Sequence, residues 1–337
     1  DRSPSRGLGD VYKRQVNMHK SILALILAIS FFPTKAMKVA LDGEFLAIES
    51  RLEGCHSIRY EFSRCMANHI YTFSRVLVDS VVVNEATSDN IGPFLIENSG
   101  WTGGNHLLPD GSPSARTDSI SIHNERGERL GDGFRGDAEC VTIRVVNTLL
   151  NPLEPDKKFC TETVCYSVCG NSIQVCATHS YVNVNPLKIS RYYGMQSMMV
   201  GETEILTPGG KYSRWTPVDS VDRFTCKSAP RFHQFIEKSD VCHAAAYMTE
   251  KGIGDRHLVA PDDFVFIGNS WSKSYHKLIG DATVKNGDKT QWEGIYTWFI
   301  SPLYSNPEYF SYLGCMNGRR VIFCHKKTTD HINYCKQ

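Results

Sequence analysis

Apolar and polar residues alternate along most of this chain. In the stretch SIRYEFS, residues 57–63, polar residues separate the apolar side chains Ile58, Tyr60 and Phe62. The same period of two recurs in ECVTIRVVNTLL, residues 139–150. Alternation of this kind places one set of side chains on each face of an extended strand. Because no segment keeps the roughly 3.6-residue period of an amphipathic helix over about three turns, the pattern predicts strands almost throughout.

A β-hairpin is predicted for residues 160–182, CTETVCYSVCGNSIQVCATHSYV. Gly170 and Asn171 supply the two-residue turn between its two alternating arms. With that turn Cys165 falls opposite Cys176, so the register permits a cross-strand disulfide. It also makes the two cysteines a hydrogen-bonded pair, whose Cα atoms lie about 5.5 Å apart and whose side chains are farther apart than at the alternate sites.

The number and spacing of the predicted strands define the fold class. Further strands are predicted at LKISRYYGMQSMMV, WEGIYTWFI and RRVIFCH, with glycine-bearing turns at residues 208–210 and 286–288. Many strands joined by short turns, without alternating helices, indicate an all-β protein. We predict a large antiparallel two-sheet sandwich, supersandwich-like or jelly-roll-like, stabilised by disulfides. Residues 37–337 are assigned to this single domain, alone or with a small β subdomain.

The beginning of the chain has the features of processing sequence. Residues 1–15 contain DVYKRQ, which resembles the translation of a sequencing adapter, so we interpret them as an assembly artefact; a disordered basic leader is the alternative. Residues 16–36 combine a short charged region with an apolar run of 12 residues and a small residue before Met37. This form is typical of a secretory signal peptide, and the run is shorter than the ~20 residues of a membrane span. The alternative is a membrane anchor or a buried helix.

The interpretation as a signal peptide predicts a secreted protein, extracellular or periplasmic, with no membrane span in its mature form. Without residues 1–36 the chain has 31 Lys and Arg against 34 Asp and Glu, which argues against a nucleic-acid binder.

All 12 cysteines lie beyond residue 36, and an even number behind a signal peptide indicates disulfides. Zinc is the alternative, but the sequence has no C-x-x-C pair. We therefore predict neither a cofactor nor a metal site.

The stretch SGWTGGNHLLPDGSPSARTDS, residues 99–119, is rich in recognition chemistry. Its adjacent glycines permit positive φ and close approach of the main chain to a ligand. Asn and Arg offer bidentate hydrogen-bonding faces, Trp offers an apolar plate and His titrates near neutral pH. This mixture suits a sugar, whereas a tight turn with a capping Asn and a half-buried Trp is the alternative. The candidate residues are Trp101, Asn105, His106 and Arg116.

A second set of polar and aromatic side chains lies on two predicted neighbouring strands. His179 and Tyr181 share a face of the first strand, and Arg191 and Tyr193 share a face of the second, which Gln196 follows. Such residues would form a polar face on a sheet. The alternative is that the tyrosines belong to the core and that their hydroxyls are hydrogen-bonded there.

Two later segments repeat this composition. They are PGGKYSRWT, residues 208–216, and NSWSKSYHKL, residues 269–278. Taken singly, each is typical of a solvated strand end, but the recurrence of Trp beside charged and amide residues favours a role in binding. The candidates added here are Lys211, Trp215, Trp271 and His276.

One segment resembles a known family. VCATHSYVNVNPLKISRYYGMQ, residues 175–196, resembles the central strands of galactose-mutarotase-like β-supersandwich proteins. The resemblance implies a supersandwich in which a strand enters a sugar site, an architecture that also occurs in polysaccharide lyases and carbohydrate-binding domains. The family's Asn-His-x-Tyr-Phe motif is not reproduced at residues 192–194, so the resemblance implies glycan recognition without implying mutarotase catalysis.

Three functions are consistent with these residues. The first is a polysaccharide lyase that cleaves an acidic glycan by β-elimination. In it His106 or Tyr193 would serve as base or acid, and Asn105, Arg116 and Gln196 would hold the substrate carboxylate as charge develops on it. The second is a non-catalytic glycan-binding or adhesion protein, and the third is a disulfide-rich structural or viral surface protein. We favour the first, with His106, Tyr193 and Arg116 as catalytic residues and the other candidates as substrate contacts.

Overall fold

The fold was obtained as a computed structural model. The residues that it describes are 36–52, 54–85, 91–198, 203–206, 212–215, 224–227, 231–236, 241–247, 264–268, 273–300, 309–316 and 319–326. Within these ranges the chain forms strands, turns and irregular segments and no helix. The predicted artefact and almost all of the predicted signal peptide lie outside the described residues. The first strand begins at Met37.

The strands alternate between buried and exposed side chains, as the sequence pattern predicts. In chain order they are β1 (Met37–Asp42), β2 (Phe45–Arg51), β3 (Ser57–Cys65), β4 (Ile70–Val78), β5 (Val81–Glu85), β6 (Phe94–Ile96), β7 (Gly100–Thr102), β8 (Ala115–Asn124), β9 (Arg135–Ala138), β10 (Val141–Asn151), β11 (Glu154–Cys169), β12 (Ser172–Tyr181), β13 (Leu187–Met198), β14 (Thr203–Leu206), β15 (Tyr212–Trp215), β16 (Phe224–Lys227), β17 (Arg231–Ile236), β18 (Val241–Tyr247), β19 (Phe264–Gly268), β20 (Lys273–Val284), β21 (Lys289–Ile300), β22 (Tyr309–Met316) and β23 (Arg319–Lys326). Ile58, Tyr60 and Phe62 of β3 are completely buried.

The described strands form three antiparallel sheets and a hairpin. The N-terminal sheet has the order β5-β4-β3-β2-β1-β9. The nine-stranded sheet has the order β15-β14-β17-β18-β21-β12-β11-β10-β8, and the β13 sheet has the order β16-β19-β20-β13-β6-β7. The remaining two strands, β22 and β23, pair with each other. The predicted all-β antiparallel fold is confirmed.

Aromatic side chains join these sheets into a two-layer sandwich. Phe62 of the N-terminal sheet lies 5.5 Å from Tyr166 of the nine-stranded sheet, measured between ring centroids. Phe94 of the β13 sheet lies 5.7 Å from Phe159, on the same face of the nine-stranded sheet. Each such aromatic pair adds about 0.5–1.5 kcal/mol to the stabilisation from buried area. One layer is therefore the nine-stranded sheet, and the other is divided between the two six-stranded sheets.

The predicted hairpin is present with the predicted register. β11 and β12 pair on either side of Gly170 and Asn171, and Cys165 stands opposite Cys176. Gly170 adopts a φ of 57°, in the left-handed region that glycine tolerates. A disulfide joins Cys169 at the end of β11 to Cys315 of β22, which confirms a disulfide-stabilised fold. Free thiols are found at Cys55, Cys140, Cys160, Cys165 and Cys176.

A ladder of buried polar side chains crosses the inner face of the nine-stranded sheet. Its members stand directly opposite one another on five neighbouring strands and are Thr117, Asn147, Glu162, His179 and Thr290. Asn147 accepts a hydrogen bond from Thr117 at 2.8 Å and donates one to Glu162 at 2.9 Å. His179 lies 3.1 Å from both Glu162 and Thr290. Each group thus finds a partner away from water, which makes the ladder a single structural unit.

Removing the carboxylate at the centre of this ladder should destabilise the protein. Glu162→Leu leaves the donors of Asn147 and His179 buried without an acceptor, so we expect a loss of about 3–5 kcal/mol in the free energy of unfolding. Glu162→Gln keeps the shape and one acceptor and should cost clearly less. Urea denaturation of residues 37–337 measures both variants, and equal stability of the Leu variant and the parent protein would contradict the role assigned to the ladder.

Candidate functional site

Two of the predicted catalytic rings stack on one tryptophan. The imidazole of His106 lies 5.2 Å from the indole of Trp101 at an interplanar angle of 20°. The phenol of Tyr193 lies 5.7 Å from the same indole at 24°. Arg191 donates a hydrogen bond from Nη1 to the Tyr193 hydroxyl at 3.4 Å. These four residues, called the Trp101 cluster below, bring together side chains that lie up to 92 positions apart in the chain.

The edge of the β13 sheet positions this cluster. Trp101 of β7 pairs with Leu95 of β6, which in turn pairs with Arg191 of β13. The three side chains therefore form one row on the outer face of the sheet. A register shift between Tyr192 and Tyr193 then redirects the strand, as a β-bulge does. Tyr193 is half-buried and Arg191 is exposed, so both belong to the surface side of the sheet.

Tyr192 and Tyr193 are neighbours with opposite roles. Tyr192 is fully buried, and its hydroxyl accepts a 2.9 Å hydrogen bond from the indole N–H of Trp292. Burial raises the pKa of the Tyr192 phenol well above its usual range, which keeps this hydroxyl neutral. The phenol of Tyr193 is half-buried and accepts a hydrogen bond from the guanidinium of Arg191 on the outer face.

Two glycines allow close packing around the main chain of Tyr193. A Cβ atom on Gly92 would lie 1.2 Å from the carbonyl oxygen of Tyr193, so a larger residue cannot be accommodated without a shift of the backbone. A Cβ atom on Gly194 would lie 2.0 Å from Leu278. The side-chain amide of Gln196 donates to the Tyr193 carbonyl at 3.1 Å. The backbone that presents the phenol is therefore held from both sides.

The buried side chain of Asn68 holds the loop that carries His106. Its amide nitrogen donates to the carbonyl oxygens of Gly104 and His106, both at 2.8 Å. Its oxygen accepts the N–H of Ser114 at 2.8 Å, and the Ser114 hydroxyl donates to the His106 carbonyl. Three main-chain groups of the loop are thereby paired with two polar side chains. This network fixes the loop at both ends of residues 104–114.

The adjacent glycines allow the loop to adopt positive φ angles and to pack closely against its neighbours. Gly103 and Gly104 have φ values of 82° and 52°, which side-chain-bearing residues rarely adopt. Both are buried, and a Cβ atom on Gly103 would lie 3.1 Å from Leu149. Asn105 is also used by the fold, because its Oδ1 accepts the N–H of Ala67 at 2.7 Å.

Of the other predicted residues, Gln196 reaches the Trp101 cluster through the main chain of Tyr193, whereas Arg116 lies on a different sheet. His179, Tyr181, Gln196 and His276 are at most 1 % exposed and lie in the interior. Arg116 is exposed on β8, where its Nε donates to Asp118 at 3.0 Å. Of Trp215 only the main chain, in β15, is described, and Lys211 and Trp271 lie outside the described residues.

The sequence pattern placed Arg191 on a polar face with Tyr193, but Arg191 was not among the predicted site residues. Within the described part of the chain it forms no ion pair with a carboxylate, unlike Arg116 with Asp118 and Lys188 with Glu97. The backbone register also places Lys277 of β20 opposite Tyr193. Asn68 was missed as well, since nothing in its local sequence indicates a partner loop that begins 36 residues later.

The described residues were also considered for metal binding and for membrane-spanning helices. No group of three or more metal-ligating side chains occurs within the described residues. No helix in the described part of the chain has the length and apolar character needed to cross a membrane.

Comparison with known proteins gives only distant similarities. No protein-family model and no curated protein sequence matches this chain. Among solved structures, the Slr1438 protein from Synechocystis sp. PCC 6803 is similar at 12% identity and a TM-score of 0.36, over 81% of this chain and 99% of that one. The heparinase III product BT4657 matches at 8% identity and a TM-score of 0.39, over 85% of this chain and 41% of that one. HI1317 matches at 7% identity and a TM-score of 0.33, over 77% and 99%. These scores are too low to assign a function.

Disrupting the Asn68 network should loosen the loop that carries His106. Asn68→Ala leaves buried main-chain groups unpaired, so we expect a loss of about 2–3 kcal/mol in the free energy of unfolding. It should also speed amide hydrogen exchange in residues 103–114. The matched control is Asn124→Ala, which removes a side chain that accepts from the N–H groups of Arg126 and Glu128 in an exposed turn.

The control should cost about 1 kcal/mol and leave exchange in residues 103–114 unchanged. Chemical denaturation and hydrogen-exchange mass spectrometry provide the two readouts. Unchanged exchange in the Asn68 variant would show that other contacts hold the loop.

Proposed function

We propose that this protein is a secreted, glycan-active enzyme that binds an acidic polysaccharide at the Trp101 cluster and cleaves it by β-elimination. The observation on which the proposal rests is the stacking of His106 and Tyr193 on one indole, with Arg191 hydrogen-bonded to the phenol. We assign proton transfer to His106 and Tyr193, whose rings stack on Trp101, and carboxylate binding to Arg191. Secretion is supported by the signal-peptide form of residues 16–36.

Arg191 gives the cluster its preference for an anionic sugar. A guanidinium binds a carboxylate through two parallel hydrogen bonds, and Arg191 has no carboxylate partner among the described residues. The aromatic side chains supply apolar surface for the C–H face of a sugar ring. A uronate, which combines a carboxylate with such a face, matches both features.

Tyr193 and His106 would divide the two proton transfers of the reaction. The Tyr193 hydroxyl, to which Arg191 donates a hydrogen bond, would remove the proton on the carbon next to the substrate carboxylate. The electron pair of that C–H bond forms a C=C bond as the neighbouring C–O bond breaks. His106 gives a proton to the departing oxygen, and exchange with water restores both residues. Arg191 also faces the carboxylate on which charge develops.

A non-catalytic glycan-binding protein is the second candidate. Two grooves among the described residues have volumes of about 550 and 440 Å³, and the Trp101 cluster lines neither of them. An open patch of aromatic and hydrogen-bonding side chains is sufficient for binding, whereas catalysis generally benefits from a site that excludes water. A measurement of substrate cleavage therefore distinguishes the lyase from the non-catalytic glycan-binding protein.

The decisive variant is Tyr193→Phe, which removes one oxygen and keeps the stacked ring. Residues 37–337 are incubated with polygalacturonate, alginate or hyaluronan, with amylose as the neutral control, and ultraviolet absorbance of new C=C bonds is followed. We expect absorbance only with an acidic polymer, and a fall in kcat of about 10²-fold or more in the variant, because it lacks the base. Polymer binding should be retained.

Arg191→Gln tests the charge at the same site. We expect a rise in KM or Kd for the acidic polymer of about tenfold, since a charged hydrogen bond is lost. Arg126→Gln, in an exposed turn, is the matched control and should bind normally. Binding without turnover in the parent protein would favour the second candidate, and neither binding nor turnover with any acidic polymer would contradict both.

A further inference from the structure

Cys165 and Cys176 face each other on the outer side of the nine-stranded sheet. They are register partners on β11 and β12, and both are half-buried free thiols. Their chain neighbours Val164, Tyr166 and Val175 are buried, so the two cysteines point to the opposite face. Cα atoms of such a hydrogen-bonded pair lie about 5.5 Å apart, within the range of about 4.4–6.8 Å that a disulfide requires.

On the described strands, neither thiol stands opposite any cysteine other than its partner in this pair. Cys160 stands opposite Tyr181, and Cys65 stands opposite Ile70. Among the register partners of the described strands, only Cys165 and Cys176 place two free thiols side by side. Oxidation of two free thiols on these strands to a disulfide should therefore link Cys165 to Cys176.

Charged residues flank the pair on both sides and make it asymmetric. The same row of the sheet runs from Arg144 of β10 through Cys165 and Cys176 to Glu293 of β21. Burial raises the pKa of both thiols. At Cys165 the positive charge of Arg144 opposes this rise; at Cys176 the negative charges of Glu293 and Cys165 add to it, while hydrogen bonds with Thr178 and Gln291 oppose it. Since the thiolate is the nucleophile, the first attack falls to Cys165, the thiol that stands beside the guanidinium of Arg144 in the register.

We infer that Cys165 and Cys176 form a redox-active dithiol, in which Cys165 attacks first and Cys176 completes a reversible cross-strand disulfide. The co-reactant is a small disulfide such as glutathione disulfide. The Cys165 thiolate attacks one of its sulfurs, the S–S bond breaks, and one glutathione leaves as thiolate. Cys176 then loses its proton to solvent and attacks Cys165 Sγ, which releases the second glutathione. Two electrons pass from the protein to the glutathione pair.

This inference is independent of the proposed function, because the row from Arg144 to Glu293 lies on the nine-stranded sheet and the Trp101 cluster lies on the β13 sheet. Its first test needs no substitution. Residues 37–337 are equilibrated with reduced and oxidised glutathione, free thiols are blocked, and chymotryptic peptides are analysed by mass spectrometry. Cleavage after Tyr166 separates Cys165 from Cys169, which is bonded to Cys315. We expect a Cys165–Cys176 link that disappears when the glutathione is reduced. Its absence, while glutathione attaches to other thiols, would overturn the inference.

The order of attack is tested by trapping the intermediate. Cys176→Ser should retain glutathione on Cys165, and Cys165→Ser should retain several-fold less on Cys176 in the same time, because Arg144 stands beside Cys165 whereas Glu293 stands beside Cys176. Arg144→Gln should reduce the difference in retained glutathione between Cys165 and Cys176. Cys140→Ser, which removes a half-buried thiol outside the pair, is the control and should leave the link intact. Equal trapping in the two variants would overturn the assigned order.

Discussion

The close approach of β13 to β21 is the constraint on which the candidate site depends. A Cβ atom on Gly294 of β21 would lie 2.1 Å from the sulfur of Met195 of β13, so the strands can meet here only where a side chain is absent. The Tyr296 hydroxyl accepts the N–H of Gln196 at 3.1 Å and donates to its carbonyl at 2.9 Å. These contacts replace ordinary strand pairing along the bulge. They fix the segment that directs Tyr193 outward.

The cluster and the ladder show how the same residue types acquire different roles in the two layers. His179 and Tyr181 point into the space between the layers, where Glu162 and Thr290 satisfy them and Phe94 covers the imidazole at 5.0 Å. Buried in this way, they specify the packing of the sandwich. His106 and Tyr193 lie on the outer face, where the same functional groups meet solvent. Position relative to the core therefore separates structural from candidate functional side chains.

Local patterns predicted the parts of the fold that depend on neighbours in sequence. Alternation placed Ile58, Tyr60 and Phe62 in the core, and the turn at residues 170 and 171 set the register of the hairpin. Period-two spacing cannot tell which face of a strand another sheet will cover. His179 and Tyr193 were therefore both predicted to lie on one polar face. The assembly of the Trp101 cluster could not be predicted either, because it depends on a bulge at Tyr193 and on hydrogen bonds across long separations.

Charge pairing explains why Arg191 and not Arg116 belongs to the candidate site. In the sequence both arginines lie near aromatic and amide residues, and the loop composition favoured Arg116. In the fold Asp118 pairs with Arg116 and accepts a further hydrogen bond from Thr148 at 2.6 Å. Arg191 instead donates to the Tyr193 phenol. A carboxylate of a ligand would therefore meet less competition at Arg191.

The most direct measurement is a crystal structure of residues 37–337 with a bound uronate oligosaccharide, made with the Tyr193→Phe variant if the parent protein cleaves it. The account predicts a sugar ring in contact with the Trp101 cluster and its carboxylate on Arg191. An oligosaccharide bound instead in the groove of about 550 Å³ on the N-terminal sheet, which Phe45 and Arg135 line, would contradict it.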